Sequence, residues 1–273
     1  MKTRIAAVRP DFAGAIAKVA HANRHIAAFA QEAGRYFAKR PYQVVQTPHT
    51  DTGEPGYYLY ERLGFPDRRL ALFIGDALHN LRSALDHLAC ACAIAQGESP
   101  DHTQFPILLK ETGLEQKLRK DLVKAGPVAI DLVGALAPTP LGNPMLAALH
   151  ELDIIDKHRL ILPVACTMDV AIQVGVFEGL PVVTARGGTA PPERTSCFVP
   201  APKGYEACIA HDFSFTGDVV FPAGTPLAGQ PCVETLYELS AVVADIVIAF
   251  EQGFNTVRLS HGISRAGRTT RAI

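Results

Sequence analysis

The sequence predicts an α+β fold: a helical bundle with a small, mostly antiparallel β-sheet and a C-terminal helix. Three observations predict it. Leu70, Ile74, Leu78, Leu81, Leu85 and Leu88 recur at helical spacing along one face. From about 160 to 221 the chain breaks into short β-favouring runs separated by Gly and Pro. The pattern then returns to helix from Val233 to Phe254. Helices, then strands, then a helix is the order of an α+β protein.

Taken in order, Asp11 to Arg40 is alanine-rich, lacks proline and closes on basic residues, which predicts one long helix with Asp11 as a candidate cap. Tyr42 to Val45 and Tyr57 to Tyr60 flank a Gly/Pro-containing reversal and predict a hairpin. The leucine stripe predicts a helix from Asp67 to about Gln96. Gly97 to Pro106 is a loop, and Glu111 to Ala125 alternates charge at helical spacing as a solvated helix does. Pro127 to Leu136 predicts a further short helix, and Met145 to about Lys157 a strongly patterned one. Strands follow at Leu160 to Val164, Val170 to Val176, Pro181 to Thr184, Cys197 to Val199 and Asp212 to Phe221. The organisation expected is a mainly helical part over 1–159 with a hairpin near 42–60, a β-rich part over 160–231, a returning helix over 232–259 and a flexible basic tail over 260–273, joined as one integrated domain.

The composition narrows the function classes. The 273 residues suffice for a substantial core, and 26 basic against 27 acidic side chains leave a net charge of -1. The surface as a whole is therefore not built to attract nucleic acid or anionic lipid, and any such contact is local. No apolar run reaches the roughly 18 residues of a membrane span. Arg9, Pro10 and Asp11 interrupt what a secretory signal needs, and the six cysteines are scattered, with Cys90 and Cys92 one residue apart instead of two. A cytoplasmic protein with buried thiols and no membrane partner is expected. P-loop, GxGxxG and GxSxG motifs are absent, which removes the usual support for nucleotide-binding and α/β-hydrolase readings.

Two segments carry candidate chemistry. In the first, Asp76, Asn80, Ser83 and His87 project within about 60° of each other, opposite the leucine face, and His79, Arg82 and Asp86 run beside them. A solvated face is usually built from Lys and Glu. Short polar groups that cost helix propensity point instead to a site. In the second segment, Met145, Leu149, Leu152 and Ile155 make a buried stripe, leaving His150, Asp153 and Lys157 on the opposite side with Glu151 and His158 adjacent. Asp156 projects near the apolar side, where a carboxylate needs a partner. His150 has no histidine four residues on, so the zincin spacing is missing. Cys90 lies one turn from His87, and Arg265, Arg268 and Arg271 lie in the tail; a core thiol and a solvated tail are the simpler readings of these.

Arg82 and His87 together form Arg-x4-His, and the segment resembles the signature of the HEPN superfamily of helical, nucleic-acid-associated domains, many of them metal-independent ribonucleases. The resemblance covers this helix only; the β-rich remainder lies outside the ordinary four-helix HEPN unit. It implies that His87 acts as acid or base and Arg82 holds phosphate, the pair being assembled across a dimer. Ser83 stands where Asn, Asp or His is common in that family. Five positions on an unbroken helix splay Arg82 and His87 by roughly 140°, so a second copy would have to complete the site. More loosely, the stretch from His79 to His87 with the later Asp156-Lys157-His158-Arg159 is similar to segments of uncharacterised bacterial proteins.

The leading expectation is thus a HEPN-like, metal-independent ribonuclease of toxin or defence type, with RNA and a second copy as partners and without cofactor or metal. Catalysis would rest on Arg82 and His87, oriented by Asn80 and Asp86. Substrate would be bound by Asp76, His79, Ser83, His150, Asp153, Lys157 and His158. The alternatives are a non-catalytic ligand-binding or assembly protein, and a metal-dependent hydrolase using His87, His150 and nearby carboxylates.

Overall fold

A computed structural model describes residues 8–61, 63–174, 183–188, 196–201, 203 and 210–266. The fold is α+β, with elements in the order α1 (Ala13–Ala38), β1 (Tyr42–Gln46), β2 (Gly56–Glu61), α2 (Asp67–Ala95), α3 (Leu114–Leu122), α4 (Pro127–Ala135), α5 (Pro144–His158), β3 (Val164–Val174), β4 (Val183–Gly188), β5 (Ser196–Pro200), β6 (Ala210–Val220) and α6 (Cys232–Ala266). Asp11 caps α1 as expected, its carboxylate accepting from the Ala13 amide at 2.9 Å. Asn143 does the same for α5 through the Leu146 amide, with Pro144 in the first turn. No proline follows Pro231, and α6 runs through Ala266, past residue 259 where the returning helix was expected to stop. Of the expected tail, 260–266 are therefore helical. Residues 267–273, with Arg268 and Arg271, lie outside the described residues, as do Pro181 and Val176 of the expected strands.

The chain forms two compact units, each assembled from separate stretches. One comprises the residues up to Ile26, Ile74–Leu160 and those from Glu234 onward; the other comprises Ala27–Phe73 and Ile161–Val233. The first is helical. Leu78, Leu81, Leu85 and Leu88 of α2 are fully buried, which is the leucine stripe read from the sequence. Around them lie Ala22 and Ile26 of α1, Leu146, Leu149 and Leu152 of α5, and Leu236, Leu239 and Val243 of α6, all buried. Phe12 meets Phe250 edge-on at 6.0 Å, and Phe250 also meets Phe105, so the first and last helices close one core. No helix among the described residues is long and apolar enough to cross a membrane.

The second unit holds the strands, in two three-stranded antiparallel sheets of order β1-β2-β5 and β4-β3-β6. The expected hairpin forms, with Val44 opposite Leu59, and β5 adds to its outer side, pairing Tyr58 with Phe198. In the other sheet β3 is central, and its pairing with β6 shifts between Thr167 and Asp169. Gly217 of β6 has no side chain because Phe37 of α1 fills that space. A Cβ there would collide with the Phe37 ring.

Candidate functional site

All of the candidate residues on α2 and α5 belong to the helical unit. On α2 they divide between two neighbours. At 100° per residue, Asp76, Asn80 and His87 project to one flank, while His79, Arg82 and Asp86 project to the other. Ser83 lies between these groups.

The first flank faces α1. Lys18 Nζ donates to Asn80 Oδ1 at 3.1 Å, and Asn80 Nδ2 donates to the Asp76 carbonyl at 2.7 Å, so Asn80 is buried and spent on the helix pair. His25 Nδ1 lies 3.5 Å from Asp76 Oδ2. His87 is exposed and lies over Gly14, where a Cβ would fall 2.7 Å from its Nδ1.

The second flank faces α5. His79 Nδ1 lies 3.3 Å from Asp153 Oδ1, and Lys157 Nζ donates to Asp153 Oδ2 at 2.5 Å. The Ser83 hydroxyl lies 3.5 Å from His79 Nε2. Asp153 is only 2% exposed whereas the His79 side chain is 57% exposed, so a buried carboxylate holds an imidazole that solvent can reach. Further along, the Asp156 carboxylate rests against the Cα of Gly75, with Cγ 2.7 Å from where a Cβ would be. That close approach accommodates the carboxylate that the helical projection placed beside the apolar stripe.

Arg82 is committed elsewhere. Its guanidinium, 8% exposed, donates to Asp86 Oδ1 and to the Phe105 carbonyl, both at 2.8 Å. Asp86 Oδ1 in turn accepts from the Phe105 amide at 2.9 Å. The pair thus clasps both backbone polar groups of Phe105, whose ring is buried. Arg82 and His87 are not brought together within the chain. One is turned to the Phe105 loop and the other to α1.

His150 precedes Asp153 by three residues on α5. Its Nδ1 is buried without a hydrogen-bond partner. Burial is the main reason its pKa falls to about 4; the charges of Arg82, Lys117 and Lys157 act in the same direction and Asp153 opposes them. It is neutral at pH 7 and unsuited to donate a proton there. Because unfolding restores a pKa near 6.5, the unfolded chain binds the extra proton between pH 6.5 and 4, so this residue's stabilising contribution is present above pH 6.5 and lost as pH falls toward 4. Solvent reaches part of the ring, which reduces the effect to on the order of 1–2 kcal/mol. We expect the thermal midpoint of His150→Gln to fall less steeply than that of the unaltered protein over this range. Parallel pH profiles would contradict the assignment.

His158 is exposed beside Lys157 and Arg159 at the end of α5, where cations complement the helix dipole. His87 and His150, the histidines of the metal-hydrolase alternative, sit on different flanks. Cys90 is half-buried with its thiol toward the Thr103 carbonyl, and burial raises its pKa, as fits a core thiol better than a nucleophile. Sequence reasoning did not single out Lys18, His21, His25 or Lys117. His21 and His25, at i,i+4 on α1, were the signal available for finding two of them. No family model matches the chain, and neither curated proteins nor solved structures give a match to it.

Proposed function

We propose that the chain is a metal-independent ribonuclease, HEPN-like in reaction type, whose proton-transfer group is His79 in place of His87. The observation that carries this reading is the exposed His79 imidazole fixed at Nδ1 by the buried Asp153 carboxylate. A carboxylate on Nδ1–H sets the tautomer and leaves Nε2 with its lone pair available as a base. In RNA the nucleophile belongs to the substrate. His79 takes the proton of the ribose 2′-hydroxyl, whose oxygen attacks phosphorus. The 5′-oxygen leaves, taking a proton from water, and a 2′,3′-cyclic phosphate remains. Arg159, exposed at the end of α5, supplies local positive charge for a phosphodiester, which the net charge of the chain does not.

Ser83, His79 and Asp153 also line up as a nucleophile, base and carboxylate. A covalent role for Ser83 is disfavoured because α2 is unbroken there. The neighbouring backbone N–H groups are used within the helix and form no oxyanion hole. Ser83 is better suited to hydrogen-bond the substrate.

The test is cleavage of RNA by the full chain in EDTA. Cleavage should persist in chelator, fall about 10²-fold or more in His79→Ala and remain unchanged in His87→Ala. An unaltered protein that cleaves no RNA at any concentration, or a folded His79→Ala variant of full activity, overturns the reading. The second reading, a non-catalytic assembly protein, is favoured by Arg82, whose buried guanidinium serves Phe105 rather than a ligand.

A further inference from the structure

Away from that flank, α1 carries His21 and His25 four residues apart. Their Nε2 atoms lie 3.2 Å from each other, and the rings stand nearly perpendicular at 88°. On its other ring nitrogen, His25 Nδ1 lies 3.5 Å from Asp76 Oδ2 of α2. All three residues belong to the helical unit. A carboxylate beside Nδ1 favours the tautomer whose Nε2 lone pair can bind a metal, and a carboxylate in that place recurs behind metal-bound histidines. Two neutral imidazoles facing each other through Nε2 share at most one proton, and a cation placed between them uses both lone pairs.

The dimensions suit such a cation. An ion about 2.0–2.1 Å from each nitrogen would see the two, 3.2 Å apart, at roughly 100°, close to the tetrahedral angle of zinc. Imidazole ligands select late first-row divalent ions over magnesium or calcium. Asp76 places a carboxylate beside His25, and the Lys18 ammonium is engaged by Asn80. Among the described residues no three His, Cys, Asp or Glu side chains converge on one point, so the site has two protein ligands and its other positions are open to water.

We infer that His21 and His25 form a surface binding site for a Zn²⁺-class divalent ion, with Asp76 behind His25 as a positioning residue. His21 is exposed and His25 is at the surface, so their substitution leaves the core intact. The experiment uses the full chain, stripped with EDTA and exchanged into metal-free buffer, titrated with Zn²⁺ against a chromophoric chelator. The expected result is one equivalent of Zn²⁺ that disappears in H21A/H25A and binds about 10- to 100-fold more weakly in Asp76→Ala. Other histidines and thiols report as binding that survives the double substitution. As a second readout, the electron paramagnetic resonance spectrum of one equivalent of Cu²⁺ should show two nitrogen ligands in the unaltered protein and one in H21A. Equal stoichiometry in the unaltered protein and H21A/H25A, or no Zn²⁺ bound by either, overturns the inference. Because His79 lies on the other flank, H21A/H25A should retain whatever RNA cleavage the unaltered protein has.

Discussion

Arg82→Ala is expected to lower the unfolding free energy by about 3 kcal/mol. Breaking a buried ion pair by removing one partner costs roughly 3–5 kcal/mol. Asp86 is 37% exposed and regains some hydration, which moves the figure to the lower end. The loss is not confined to the pair, since the Phe105 carbonyl also loses its donor beneath a buried ring. Arg82→Lys should restore little, because an ammonium does not span Asp86 and the Phe105 carbonyl as a planar fork does. Urea unfolding followed by circular dichroism measures the change. A midpoint in Arg82→Ala equal to that of the unaltered protein would refute the clasp.

Asp153→Asn is expected to reduce RNA cleavage by about 10²- to 10⁴-fold while leaving the fold in place. The side chain keeps its volume, but the amide neither stabilises a protonated imidazole nor requires the tautomer with the proton on Nδ1. His79 then presents Nε2 as a donor where the reaction needs an acceptor. Lys157 loses its ion pair too, but its side chain is 52% exposed and solvent takes over that role at small cost. The measurement is kcat/KM for an RNA substrate, compared with His79→Ala and with the double variant. Because the two residues act as one unit, their effects should be far from additive. A folded Asp153→Asn protein with full activity removes the basis for assigning the dyad a role in cleavage.

The elements that periodicity specifies were readable from the sequence. The leucine stripe of α2 is buried throughout, the hairpin forms between the predicted runs, and Asn143 and Pro144 mark the start of α5. The site was readable only as a set of residues. A helical wheel ranks α2 side chains by angle but does not say which neighbour stands at each angle. A single polar stripe therefore proved to be two flanks, with Asn80 taken by Lys18 and His79 by Asp153. Asp153 was expected opposite the apolar face of α5, yet it is buried. That helix buries Leu146, Ala147 and Ala148 as well as Leu149 and Leu152, so it is covered on more than one side. The role of Arg82 was hidden for a different reason. Besides Asp86 at i+4, its partner is a main-chain carbonyl 23 residues on, and backbone groups leave no mark in a sequence.

Ser240 donates to Asn23 across 217 residues of chain, and Phe12 meets Phe250 within the same helical unit. These contacts have a consequence for biosynthesis. At about 5–20 residues per second, roughly ten seconds or more separate the emergence of α1 from the ribosome from that of its partners on α6. Throughout that interval Phe12, Ala22 and Ile26 are without the helix that helps to bury them. The nascent chain offers that apolar surface to chaperones for as long as it is being made, and closure of this core waits until translation is almost complete.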